Sequence, residues 1–245
     1  MNKRGISHIE VLLSFLIFIG FVIFALYFFS PIKTSRLIES SLSYAFREIK
    51  ENASIDIETY SVKLPDTQPI DTTSREISVM SVEIKGVDSN KNVRVEDYSG
   101  IEVNSERAGD IVNFELASFY QDQNIHLAII KFSEDFDPST QPQDDKTDTG
   151  YTIASSKTIR LISDKRITAL ANDYSSGEAN YLKLKDSFNL PNGANFGFSL
   201  KFNDIEIKAE RVIPEGVEVF SDVERVEVLR SNGEIEFADL AVRVW

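Results

Sequence analysis

From Val11 to Phe29 the chain runs nineteen residues without a charge, VLLSFLIFIGFVIFALYFF. As a helix rising 1.5 Å per residue, the stretch spans about 28 Å, close to the hydrocarbon thickness of a bilayer. A core helix of a water-soluble domain keeps a polar face, and this run has none. It is longer than the roughly 7–15 apolar residues of a secretory signal. Behind it, FALYFFSPIK offers bulky aromatics where a signal peptidase needs small residues. The segment is therefore expected to remain as an anchor. Lys3 and Arg4 precede it, and Lys33 and Arg36 flank its far end. The short basic tail puts the N-terminus on the cytoplasmic side and the rest of the chain outside.

The remainder of the 245 residues is long enough for one large domain or two small ones. Cysteine is absent, which excludes disulfides, thiolate metal sites and cysteine nucleophiles. In residues 1–50, six Lys/Arg against three Glu give +3, which leaves −16 for the rest of a chain whose total is −13. Such an acidic head argues against contact with nucleic acid, which needs clustered basic residues. It suits a solvated, outward-facing surface.

Glu10 stands at the head of the apolar run, and two readings of it are open. Ser7-His8-Ile9-Glu10 fits the S-x-x-E capping box, with Glu10 reaching back to the N–H of Ser7. That reading leaves the Lys3-Arg4 pair and Gly5 unexplained. The whole pattern, KRG, then ISHIE, then about twenty apolar residues, resembles the class III signal of type IV pilins and pseudopilins. The resemblance covers residues 1–50, about a fifth of the chain. It implies cleavage between Gly5 and Ile6 by a prepilin peptidase. Ile6 then becomes the new N-terminus and Glu10 the fifth mature residue, with the apolar helix retained. It further implies that Glu10 meets the α-amine of a neighbouring pilin-like subunit, in a homo- or hetero-oligomer. Gly20 and Pro31 match the helix-weakening positions at which this family loosens its helix on assembly. Ile6 stands where bacterial relatives usually carry phenylalanine, and there is no C-terminal disulfide loop. Both departures favour the archaeal branch.

Past the membrane run, Ile38, Leu42, Ala45 and Ile49 recur on one face of a helix. That helix is expected to end near Asn52-Ala53-Ser54, which is also the only N-x-S/T sequon and makes Asn52 a candidate glycosylation site. Beyond it, strands are predicted at 57–64, 75–85, 92–96, 111–116, 125–133 and 151–162. His126 has no second histidine in the head to share a metal with, so it is read as a packed or rim residue. The acidic loop 133–150 has hard oxygen ligands for calcium, but its EF-hand spacing fails. With Asp145 first, Gly150 falls in the right slot and Ser156 where a bidentate Glu belongs. A solvated loop is expected there. A helix is predicted after Ser175 or Ser176, and Phe196, Phe198, Leu200 and Phe202 alternate as one face of a strand. Asn232-Gly233 predicts a two-residue hairpin turn that sets Val228 opposite Phe237, with a bulge near Ala238-Asp239.

The expected fold is α+β: a long N-terminal helix, its first half transmembrane, packed against an antiparallel β-rich head. Its divisions are a basic leader 1–5, a transmembrane helix 6–30, an amphipathic continuation 31–53, a β-rich region 54–165 and a C-terminal α+β region 166–245. No G-x-S-x-G, H-E-x-x-H, P-loop or G-x-G-x-x-G occurs, and no metal site or cofactor is expected. The expected role is structural rather than enzymatic. The alternative is a membrane-anchored envelope binding protein that never polymerises.

Overall fold

The computed structural model describes residues 8–28, 32–69, 78–120, 126–140, 142, 147–148, 150–202, 205–230 and 232–245. They form an α+β fold. In chain order come α1 (His8–Phe28), α2 (Ile32–Ala53), β1 (Ser54–Lys63), β2 (Val79–Glu83), β3 (Asn92–Glu96), β4 (Glu102–Val103), β5 (Ser105–Ala108) and β6 (Ile111–Glu115). After a 3-10 turn at Ala117–Phe119 follow β7 (Leu127–Ser133), β8 (Thr147–Asp148) and β9 (Thr152–Ser163). The chain closes with α3 (Asp164–Ser175), α4 (Glu178–Ser187), β10 (Phe196–Lys201), β11 (Glu206–Ala209), β12 (Phe220–Leu229) and β13 (Ile235–Val244).

The larger sheet has the order β11-β10-β13-β12-β9-β1-β7-β3-β4, and a smaller one the order β5-β6-β2-β8. Pairing is antiparallel except where β12 touches β9 and β2 touches β8. Two apolar cores result. In one, α2, α3 and α4 cover the face made by Phe196, Phe198, Leu200, Val226, Val228, Leu240, Val242 and Val244. In the other, Val62, Val95, Ile130 and Phe132 of the larger sheet meet Met80, Val82, Val112 and Phe114 of the smaller. A third, smaller cluster of Ile55, Ile57, Phe136, Leu161 and Leu229 lies where β1, β9 and β12 meet.

The expected long N-terminal helix is described in two stretches, α1 and α2, and the three residues between them, Pro31 included, lie outside the described set. Packing is confined to the second helix. Ala45, Phe46, Ile49 and Ala53 are buried and Leu42 packs against the same core. Of the expected stripe only Ile38 lies among side chains that are not described. α2 ends at Ala53, where the sequence placed its end.

The β12–β13 hairpin also differs from expectation. Leu229 pairs with Ile235, so Arg230–Glu234 form the connection and Val228 faces Glu236 rather than Phe237. Gly233 has φ 83°, a left-handed value that favours glycine in this turn. The ladder then runs unbroken to Phe220 opposite Val244, with no bulge. All the buried residues of β13, Ala238, Leu240, Val242 and Val244, are even-numbered. Phe237 therefore points to the opposite face, 59% exposed beneath the Arg225 guanidinium. Trp245 is tied to the sheet by reciprocal backbone bonds with Asn195, of 2.9 and 2.6 Å.

Candidate functional site

α1 is apolar around its whole circumference, and Glu10 in its first turn is its one carboxylate. The window Glu10–Tyr27 is long and apolar enough to cross a membrane, and none of it is buried against the head. That is the property of a membrane anchor or a signal segment. Glu10 is exposed and has no ion-pair partner among the described residues. The helix runs without interruption through Gly20, where an added Cβ would meet nothing within 4 Å. Lys3, Arg4, Gly5 and Ile6 lie outside the described residues, as do Ser7 of the capping box and Pro31.

α2 carries the chain from that helix onto the head. Its buried face lies on β12, β13 and α3, and at its rim Lys50 Nζ reaches Glu224 Oε1 at 2.5 Å. Asn52, the candidate glycosylation site, is exposed and donates from Nδ2 to the Glu48 carbonyl at 2.7 Å. Ser54 of the same sequon is buried and donates its hydroxyl to the Lys50 carbonyl at 2.5 Å. Both side chains thus close the last turn of the helix.

The seam beyond α2 is held by a group of ion pairs that local sequence patterns do not reveal. Arg166, in the first turn of α3, donates to Glu134 Oε2 at 2.7 Å, Asp135 Oδ2 at 3.2 Å and the Ser54 carbonyl at 3.0 Å. Lys165 bonds Asp137 Oδ1 at 2.8 Å and the Asp135 carbonyl at 2.7 Å. The front of the acidic loop 133–150 is therefore fastened to α3 rather than free in solvent, which corrects the solvated reading for residues 134–137. α3 itself was not foreseen. Its signal was present: Ser163 caps the helix, its hydroxyl accepting from Arg166 N at 3.4 Å, and Ile167, Ala171 and Tyr174 repeat at helical spacing.

Among the described residues, no group of three or more His, Asp or Glu is arranged to hold a metal ion. His126 is half-buried, stacks on Tyr120 at 4.6 Å between centroids, and has Nδ1 2.9 Å from the Phe119 carbonyl. Since a carbonyl only accepts, Nδ1 carries the proton, and the ring is a packed one, as expected. A polar cleft of about 370 Å³ is lined by Arg94, Glu102, Asn104, Asp137, Ser139 and Asn232. Its cation is already engaged: Arg94 pairs with Glu96 at 3.2 Å and Glu102 at 3.1 Å, and donates to the Asn232 carbonyl. Nearby, burial pushes the Asp97 carboxyl up, but hydrogen bonds from Ser99, Ile101 and Gly100 outweigh that and hold it below its ordinary value. Asp97 thereby fixes the β3–β4 turn. Both features hold structure in place.

Compared with protein-family models, with curated proteins and with solved structures, the chain finds no match. The functional reading therefore rests on the residues and on this geometry.

Proposed function

We propose that the chain is a type IV pilin-like structural subunit of a cell-surface filament or pseudopilus, held in the membrane by its N-terminal helix before assembly. The observation that carries the reading is Glu10: a carboxylate with no ion-pair partner among the described residues, on a helix otherwise built for lipid, five residues past Gly5. A carboxylate costs about 2.5–3.5 kcal/mol at the bilayer centre and less toward the helix end where Glu10 stands, and a counter-charge offsets that cost. Cleavage after Gly5 creates that partner, because it frees an α-amine at Ile6. In a water-poor setting the attraction between Glu10 and a neighbour's amine is stronger than in bulk solvent. The pair would set one helix in register against the next. The N-terminus lies in the cytoplasm and the acidic head outside, and assembly transfers the subunit from membrane to surface filament.

Processing tests the reading first. Intact-mass analysis of the native membrane protein is expected to show a chain lacking its first five residues, with Ile6 at its start. A full-length chain in cells with an active prepilin peptidase would favour the alternative, an anchored envelope binding protein whose Glu10 only caps a helix.

A further inference from the structure

One buried cation in the head has no acid beside it. Lys185, in the last turn of α4, is 5% exposed, and its ammonium has no ion-pair partner among the described residues. It donates instead to the main-chain carbonyl of Asn192, at 2.9 Å. A buried ammonium that meets a neutral acceptor is costly, and a carboxylate at the same place would offset that cost.

The carbonyl that Lys185 holds belongs to a reactive pair. Asn192 and Gly193 are the central residues of a turn closed by the Ala194 N–H on the Pro191 carbonyl, at 2.9 Å. The turn is fixed at both roots. Leu190 donates to the Lys185 carbonyl at 3.2 Å, and Asn195 exchanges main-chain bonds with Trp245. Asn192 and Gly193 themselves are exposed. Neither the Asn192 side-chain amide nor the Gly193 N–H forms a hydrogen bond among the described residues. An added Cβ on Gly193 would meet nothing within 4 Å, so the space around it is open. By contrast, the side chains of Asn52, Asn90 and Asn92 each donate to an oxygen, and none of these residues precedes a glycine.

We propose that Asn192 is a self-modifying site, at which the Asn192-Gly193 linkage rearranges to isoaspartate under the direction of Lys185. The Gly193 nitrogen loses its proton to solvent and attacks the side-chain carbonyl carbon of Asn192, which closes a succinimide ring. The carbon–nitrogen bond of the side-chain amide breaks, and ammonia leaves. The reacting atoms are neighbours in the chain, so the step needs no partner molecule. As Gly193 gives up its proton, negative charge develops on the Asn192 carbonyl oxygen, and the Lys185 ammonium already sits there to stabilise it. The same contact directs the second step. Water adds to the main-chain carbonyl carbon, which the ammonium polarises, and the bond from that carbon to the Gly193 nitrogen breaks. The chain then runs through the former side-chain carbon, and the freed α-carboxylate rests on Lys185. Water is the one co-reactant, and nothing is oxidised or reduced. The site goes beyond the subunit reading and does not depend on it. Conversion adds one negative charge to a copy and lengthens its turn by one carbon, so it marks the copy by its age.

The test follows the full-length protein in detergent, held at mildly alkaline pH. Peptide mass spectrometry reads the loss of the Asn192 amide, and an isoaspartate-specific methyltransferase reads the product. A synthetic peptide spanning Leu190–Phe196 is the reference, because it has the Asn-Gly pair without Lys185. The folded protein is expected to convert at Asn192, with a higher ratio of isoaspartate to aspartate than the peptide gives. Lys185→Met should slow the conversion about tenfold, as loss of one charge-assisted donor at a developing oxyanion implies. The product ratio of the wild type needs no variant, so it decides the matter even where Lys185→Met does not fold. A ratio equal to the peptide's overturns the proposal, as does an Asn192 that stays intact while the peptide converts. A Lys185→Met protein that keeps the wild-type urea midpoint and converts at the wild-type rate overturns it too.

Discussion

α1 and α2 follow one another and are almost equal in length, 21 and 22 residues, yet their surroundings are opposite. α1 is apolar on every side, and the head covers none of the window Glu10–Tyr27. α2 carries its apolar residues on one face, and that face is buried on the sheet. The burial that stabilises α2 comes from within the chain. An apolar helix that the head leaves uncovered has the character of a membrane anchor or a signal segment. On the proposed reading, Glu10 at its head takes its counter-charge from a neighbouring copy.

The sharpest way to break this contrast is to remove each helix in turn. A chain beginning at Thr34 should be soluble and cooperatively folded, since it keeps the packed face of α2. A chain beginning at Asn52 loses Leu42, Phe46 and Ile49, each worth about 1.5–3 kcal/mol when buried, and should lose several kcal/mol in urea unfolding. Equal urea midpoints would mean that α2 is not docked.

Single substitutions sharpen the same comparison. Ile49 is fully buried, so Ile49→Ala should cost about 2–5 kcal/mol of head stability. Phe18 on α1 is 63% exposed to whatever surrounds the helix, and Phe18→Ala should leave the head's unfolding midpoint unchanged. A matching loss from Phe18→Ala would show that α1 also leans on the head. The rim of α2 should matter least. Lys50 and Glu224 have side chains 42% and 47% exposed, so Lys50→Ala should cost no more than about 1 kcal/mol, and less at high salt.

What the sequence made legible divides along similar lines. Features set by local periodicity or composition were readable: the apolar span, the end of α2 at Ala53, and Phe196, Phe198, Leu200 and Phe202, all buried. The β12–β13 register was misread because Asn232-Gly233 is a strong two-residue turn signal. The even-numbered apolar run from Ala238 to Val244, which demanded a different phase, was explained away as a bulge. Features set by distant partners carried no local mark. Arg166 joins Glu134, Asp135 and the start of β1, and nothing near residue 166 announces those partners. The two-residue parallel contact between β9 and β12 is likewise a product of tertiary packing. For Glu10 the sequence supplied the spacing and the structure supplied the surroundings, an exposed carboxylate on a helix without a polar face.

The central claim is that Glu10 serves contact between copies rather than the end of its own helix. As a cap it would contribute about 0.5–2 kcal/mol to one helix terminus, small against the insertion energy of nineteen apolar residues. As the counter-charge of a neighbour's α-amine, its loss would leave a charge unpaired in a water-poor interface at every subunit. The direct measurement is the ratio of sheared surface filament to membrane-bound subunit for the wild type, Glu10→Gln and Glu10→Leu. The account predicts that Glu10→Leu inserts, is cut after Gly5 and folds its head, yet does not enter filaments, and that Glu10→Gln shows a milder form of the same defect. A normal filament yield from Glu10→Leu would contradict it and leave Glu10 as a helix cap.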